Sequence, residues 1–80
     1  MDYYLVFENG DEKYNILLGT QSFGFFYPEP GLDFLTDMAA KNPELIKFIK
    51  IITERGLQYT VEDFLNLFEG EEHLEVRRRT

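Results

Sequence analysis

The sequence contains no cysteine and no tryptophan, a single serine, Ser22, and a single histidine, His73. Without cysteine, neither disulfides nor thiolate metal sites can reinforce the fold. Nucleophilic catalysis needs an activated nucleophile, a base in reach and a group that orients the base. Ser22 and His73 stand far apart in the chain, in contexts that supply none of these relations. Gly19, Gly24 and Gly31 do not form a phosphate-binding loop. Glu69, Glu71 and Glu72 beside His73 are rich in oxygen, but they lack the ligand spacing of an EF-hand or a zinc site. The expectation is a protein that is not an enzyme, with no catalytic residue, no metal site and no cofactor. No apolar run approaches the roughly 18–20 residues needed to span a bilayer. The start, Met1-Asp2-Tyr3-Tyr4, lacks the basic segment and apolar run of a secretory signal. A cytoplasmic protein without membrane association is therefore expected.

Basic residues are also few. Eight Lys and Arg face fifteen Asp and Glu, for a formal net charge of −7. Residues 1–40 hold seven of the acids and one base, Lys13, and the stretch from Gly56 to Val76 holds six acids and no Lys or Arg. Three of the eight bases are Arg77, Arg78 and Arg79. Such a body repels phosphate backbones and attracts basic surfaces.

Eighty residues suit one small domain, near the lower size at which a single core suffices. Eight Phe and five Tyr supply much of that core. The reading is one α+β domain over 1–76 followed by a basic tail, 77–80. Tyr3–Glu8 and Lys13–Leu18 alternate as strands around Asn9-Gly10-Asp11-Glu12, and Asn-Gly is a strong hairpin signal. A four-residue loop sets Glu8 against Lys13, Phe7 against Tyr14, Leu5 against Ile16 and Tyr3 against Leu18, pairing opposite charges and apolar side chains. Tyr3, Leu5, Phe7, Tyr14, Ile16 and Leu18 then share the face that packs on helices. The other face, with Tyr4, Val6, Glu8, Lys13, Asn15 and Leu17, is only half polar and calls for a cover. Residues 19–31, punctuated by Gly and Pro, read as irregular or as a short edge strand carrying Phe23, Phe25, Phe26 and Tyr27.

Three helices are expected on this hairpin. Leu32–Lys41 is the first. Pro43–Arg55 is the second and the expected structural centre, with Leu45, Phe48, Ile49 and Ile52 on one helical stripe, Asn42-Pro43 at its start and Gly56 at its stop. The third begins at Thr60, an N-cap, with Asp63 at the capping-box position, and runs through Val61, Phe64, Leu65 and Phe68. Leu74 and Val76 alternate with charges as a short strand. It extends the hairpin, in one form of this fold, to a three-stranded antiparallel sheet.

The second and third helices also resemble a helix-turn-helix. A DNA reader, however, needs basic or amide side chains where this chain has Val61, Glu62 and Asp63. The function expected is therefore a small acidic regulator or inhibitor that binds the basic surface of a partner protein. That partner could itself bind nucleic acid, whose charge this chain would mimic. Immunity proteins, antitoxins and phage or mobile-element inhibitors have this size and charge. The expected contact residues are Glu62, Asp63, Glu69, Glu71 and Glu72, with Phe25, Phe26 and Tyr27 as apolar anchors. Two alternatives stand beside it: a nucleic-acid-binding regulator that uses Arg77-Arg78-Arg79, and a homo-oligomeric structural or assembly protein.

Overall fold

The computed structural model describes residues 1–67 and the two-residue strand at 75–76. Its centre is a strand, β1 (Asp2–Asn9), whose burial alternates residue by residue, with Tyr3, Leu5 and Phe7 turned inward. Period-two alternation is the signature of a strand with one face on a core. β2 (Glu12–Ser22) returns antiparallel, with Glu8 opposite Lys13, Phe7 opposite Tyr14 and Leu5 opposite Ile16. This is the register expected, but Asn9 also pairs with Glu12, so the turn holds two residues, Gly10 and Asp11, rather than the expected four. The register shifts only at the far end, where Tyr4 faces Leu17 and Tyr3 faces Gly19, so Leu18 is the extra residue of a bulge. The bulge turns Leu18 fully into the core. Gly19 follows because a Cβ there would strike the Phe26 ring and the Tyr27 carbonyl.

The segment 19–31 is more regular than its Gly and Pro content suggests. Phe25–Pro28 forms β3, antiparallel to β2. The helix α1 (Pro30–Lys41) has Pro30 in its first turn, where a missing N–H costs nothing, and it seats Leu35 in the core. Asn42 closes this helix, its N–H donating to the Met38 carbonyl at 2.7 Å.

The expected central helix at Pro43–Arg55 does not form. Pro43–Phe48 makes a short 3-10 helix, and Ile49–Thr53 becomes a strand, β4, antiparallel to β1 on the side away from β2. Ile49 and Ile51 are buried, while Lys50 and Ile52 point the other way. Ile49, Ile51, Ile52 and Thr53 are β-branched, which disfavours a helix and suits a pleated surface. Phe48, expected in the core, is instead 55% exposed. Thr53 is buried but satisfied, because its Oγ1 accepts from the Leu57 N–H at 3.0 Å across the turn into β5 (Gln58–Thr60). The helix α2 (Val61–Asn66) starts as expected, with the Asp63 N–H donating to the Thr60 side chain at 3.0 Å.

The complete sheet order is β5-β4-β1-β2-β3-β6, where β6 is Glu75–Val76. The fold is α+β, with five antiparallel strands rather than two or three. The C-terminal strand pairs parallel with β3, not antiparallel with the hairpin. Both helices lie on one side of the sheet. Leu35, Val61 and Phe64 join Tyr3, Leu5, Phe7, Leu18, Phe26, Ile49 and Ile51 in a single core. Tyr3, Phe26 and Phe64 form its aromatic centre, with ring centroids 5.5–6.0 Å apart.

Candidate protein-interaction surface

Of the sequence-predicted contact residues, those among the described residues lie on different parts of the domain. Glu62 and Asp63 lie exposed in the first turn of α2, on the helical side of the sheet. Phe25 and Tyr27 are half-buried on β3, where strand alternation turns them to the opposite side from Phe26. Phe26 is fully buried between Tyr3 and Phe64, so it cannot serve as an anchor for a partner. Glu69, Glu71 and Glu72 lie outside the described residues, as do His73 and Arg77–Arg79.

The two acids at the start of α2 have lysines in the depressions that they line. Lys47 lines a depression with Glu62 and another with Asp63, and Lys50 lines the second of these as well. Acidic side chains at the start of α2 suit the positive end of its backbone dipoles, and the two lysines add to that field from the side. Elsewhere the acids stand more alone. Salt bridges among the described residues join Lys13 to Glu8 at 3.5 Å, Lys41 to Asp37 at 3.2 Å and the N-terminal ammonium to Glu54 at 3.7 Å. Asp11, Asp33, Glu44, Glu62 and Asp63 are exposed to solvent and enter no salt bridge among the described residues. Among the described residues these acids are spread over the β1–β2 turn, α1, the 3-10 helix and α2 rather than gathered on one helix.

One of the four aromatic residues of 19–31 stands apart from the others. Phe23 occupies the turn between β2 and β3, with φ at +54°, and its side chain is 97% exposed. Its neighbour Gly24 also has positive φ, at +83°. Two consecutive positive φ values make the tight hairpin turn that normally takes Asn-Gly or Gly-Gly. For a residue with a Cβ the left-handed conformation costs roughly 1–2 kcal/mol. Phe is bulky, apolar and gains no burial here to offset that cost. The signal was present in the sequence as a Phe-Gly pair between two strand-like runs.

Ionisation adds little chemistry. Burial, and secondarily the neighbouring Tyr59, pushes the Tyr3 hydroxyl up, and the Tyr3 OH donates to Gln21 Oε1 at 3.0 Å. Partial burial and the Asp2 carboxylate raise Tyr4, and the Glu12 carboxylate raises Tyr14. All three thus stay neutral at physiological pH. Among the described residues no cluster of three or more His, Asp or Glu is placed to hold a metal ion, and no helix is long and apolar enough to cross a membrane. No protein-family model matches this chain, and neither a curated protein nor a solved structure matches it significantly.

Proposed function

We propose that this protein is a small acidic regulator or inhibitor that acts by binding the basic surface of a partner protein in the cytoplasm. The observation that carries this reading is Phe23, a bulky apolar side chain held almost wholly in solvent by an unfavourable backbone conformation. Aromatic side chains that enter a partner's pocket dominate interface energies. The excess of acid gives the complementary half of recognition. A net charge of −7 steers a basic partner toward the domain and repels nucleic acid and anionic lipid. Glu62 and Asp63, with Glu69, Glu71 and Glu72, would face the partner's lysines and arginines. Where that partner is itself a nucleic-acid-binding protein, these carboxylates would occupy the place of phosphates.

The test immobilises the protein and exposes it to lysate at about 50 mM and about 500 mM salt, a range over which unscreened attractions fade. A basic protein retained at low salt and released at high salt is expected. Phe23→Asn should weaken its retention at least tenfold, and Glu62→Gln with Asp63→Asn should slow association. Absence of a retained basic protein at low salt overturns the reading.

A further inference from the structure

The chain has four asparagines, Asn9, Asn15, Asn42 and Asn66, and the fold places them in unlike surroundings. Asparagine is thermolabile because its side-chain amide can react with the main-chain nitrogen of the next residue. That nitrogen must carry a proton to lose, must be free of a hydrogen bond and must not be crowded. Asn42 precedes Pro43, which has no N–H. Asn66 ends α2, and the nitrogen after it, that of Leu67, donates to the Phe64 carbonyl at 3.1 Å. Asn15 lies within the β1–β2 ladder opposite Val6, and the β-branched Ile16 follows it. Asn9 meets none of these obstacles.

Asn9 is the last residue of β1, and Gly10 is the first of the turn. Both are exposed. Gly10 has φ at +63°, and a Cβ built on it would meet nothing within 4 Å, so nothing crowds this peptide. Among the described residues neither the Asn9 side chain nor the Gly10 N–H enters a hydrogen bond. The remaining constraint is the Asn9–Glu12 pair, because an extended backbone holds the Gly10 nitrogen away from the Asn9 side chain. That pair is the outermost rung of the hairpin, with the acids Glu8 and Asp11 next to it in the chain. End rungs open at little cost, and like charges beside them favour the opening.

We infer that Asn9-Gly10 is a self-modifying site, at which the folded protein converts the asparagine to isoaspartate and aspartate with water as the co-reactant. Once the end rung opens, the Gly10 nitrogen gives its proton to water and forms a bond to Asn9 Cγ. The Cγ–Nδ2 bond breaks and ammonia leaves, closing a cyclic imide. Water then opens the imide. Cleavage between the nitrogen and Cγ leaves aspartate. Cleavage between the nitrogen and the main-chain carbonyl carbon leaves isoaspartate, whose main chain runs through Cγ. No atom is oxidised or reduced. Either product makes the net charge of −7 one unit more negative, at a hairpin tip that already carries Glu8, Asp11 and Glu12. Isoaspartate also lengthens the main chain by one carbon, which the two-residue turn absorbs only by losing the Asn9–Glu12 rung. None of this depends on what the protein binds.

Intact-mass measurement of the full chain, held at neutral pH and physiological temperature, tests the site. A parallel sample unfolded in guanidinium chloride serves as the reference. The folded chain should gain the mass difference between an amide and a carboxylic acid, and release one ammonia for each chain converted. Its rate should be no less than about a tenth of the reference rate, as an end rung that opens readily requires. Electron-transfer fragmentation should place the change at residue 9 and find isoaspartate there. Asn9→Gln should keep the fold and lose the reaction, because its longer side chain closes the ring poorly. The converted protein should melt below the fresh protein, with Asn9→Asp between them, since it carries the charge without the longer main chain. An unchanged mass after the reference has converted, a slower folded rate than stated, or conversion at Asn15 or Asn66 ahead of Asn9 overturns the proposal.

Discussion

Ile51 and Ile52 are neighbours in β4, yet they belong to different parts of the molecule. Ile51 is fully buried under the helices, and Ile52 lies half-buried on the opposite side of the sheet. The same division runs through β1, where Tyr3, Leu5 and Phe7 alternate with Tyr4 and Val6. Apolar residues on one face are explained by the core they build. On the other face Tyr4, Val6, Leu17 and Ile52 are half-buried and stand outside that core. This contrast also separates Phe26, fully buried in the aromatic centre, from Phe23, three residues earlier and almost fully exposed.

Substitutions on the two faces should therefore differ in kind. The largest effect is expected at Ile51→Ala, which leaves a cavity and should lower unfolding free energy by about 2–5 kcal/mol in urea titrations. Ile52→Ala in the same titration should cost about 1 kcal/mol or less, because the site is open to water. Equal losses at the two positions would erase the distinction between the faces. Gly31→Ala comes next. A Cβ there meets the Leu17 carbonyl and the Ile16 side chain, so α1 must lift from β2, at an expected cost of about 1–3 kcal/mol. Thr60→Ala removes the acceptor of the Asp63 N–H and should cost about 1 kcal/mol by thermal melting.

Phe23→Asn should act in the opposite direction. It relieves the left-handed backbone at a residue with nothing to lose by leaving, and should raise stability by up to about 1 kcal/mol, a few degrees in Tm. A gain in stability joined to a loss of partner binding would mark Phe23 as a contact residue rather than a turn residue. Smallest in the neutral range is the effect of pH on the tyrosines. The folded state raises Tyr3 above its ordinary value, so its contribution is complete below about pH 10 and falls as pH climbs through the higher folded value. Urea midpoints at pH 8 and pH 10.5 would register that loss, with Tyr3→Phe showing less of it.

Much of this architecture is legible in the sequence where the signals are local. Asn9-Gly10 and the Glu8–Lys13 pair carry the hairpin and most of its register, and Thr60 with Asp63 carries the start of α2. The bulge at Leu18 is not legible, because it depends on the close approach of Phe26 and Tyr27 to Gly19. Residues 45–53 satisfy two periods at once. Leu45, Phe48, Ile49 and Ile52 recur as on a helix, while Ile49, Ile51 and Thr53 recur as on a strand. A run this short does not decide between them, and the partner that does, β1, lies more than forty residues earlier in the chain. The acidic excess is plain from composition alone. That Lys47 and Lys50 line a depression together with Asp63 follows only once β4 and β5 are adjacent strands. The exposure of Phe23 likewise depends on the turn's backbone, which the Phe-Gly pair hints at without its neighbours requiring it.

The position of β1 has a consequence in time. One of its edges is closed by β2 through a short loop, a contact that forms within about 1–10 µs. The other edge is closed by β4, which no ribosome has finished making until Thr53 is added. At about 5–20 residues per second, the chain from Phe23 to Thr53 takes roughly 2–6 s to synthesise. Through that interval β1, with three core residues, carries one row of unpaired N–H and C=O groups, and such an edge is where strands from other chains add. Slower translation between Phe23 and Thr53 lengthens that exposure, whereas a weakened α2 leaves it unchanged.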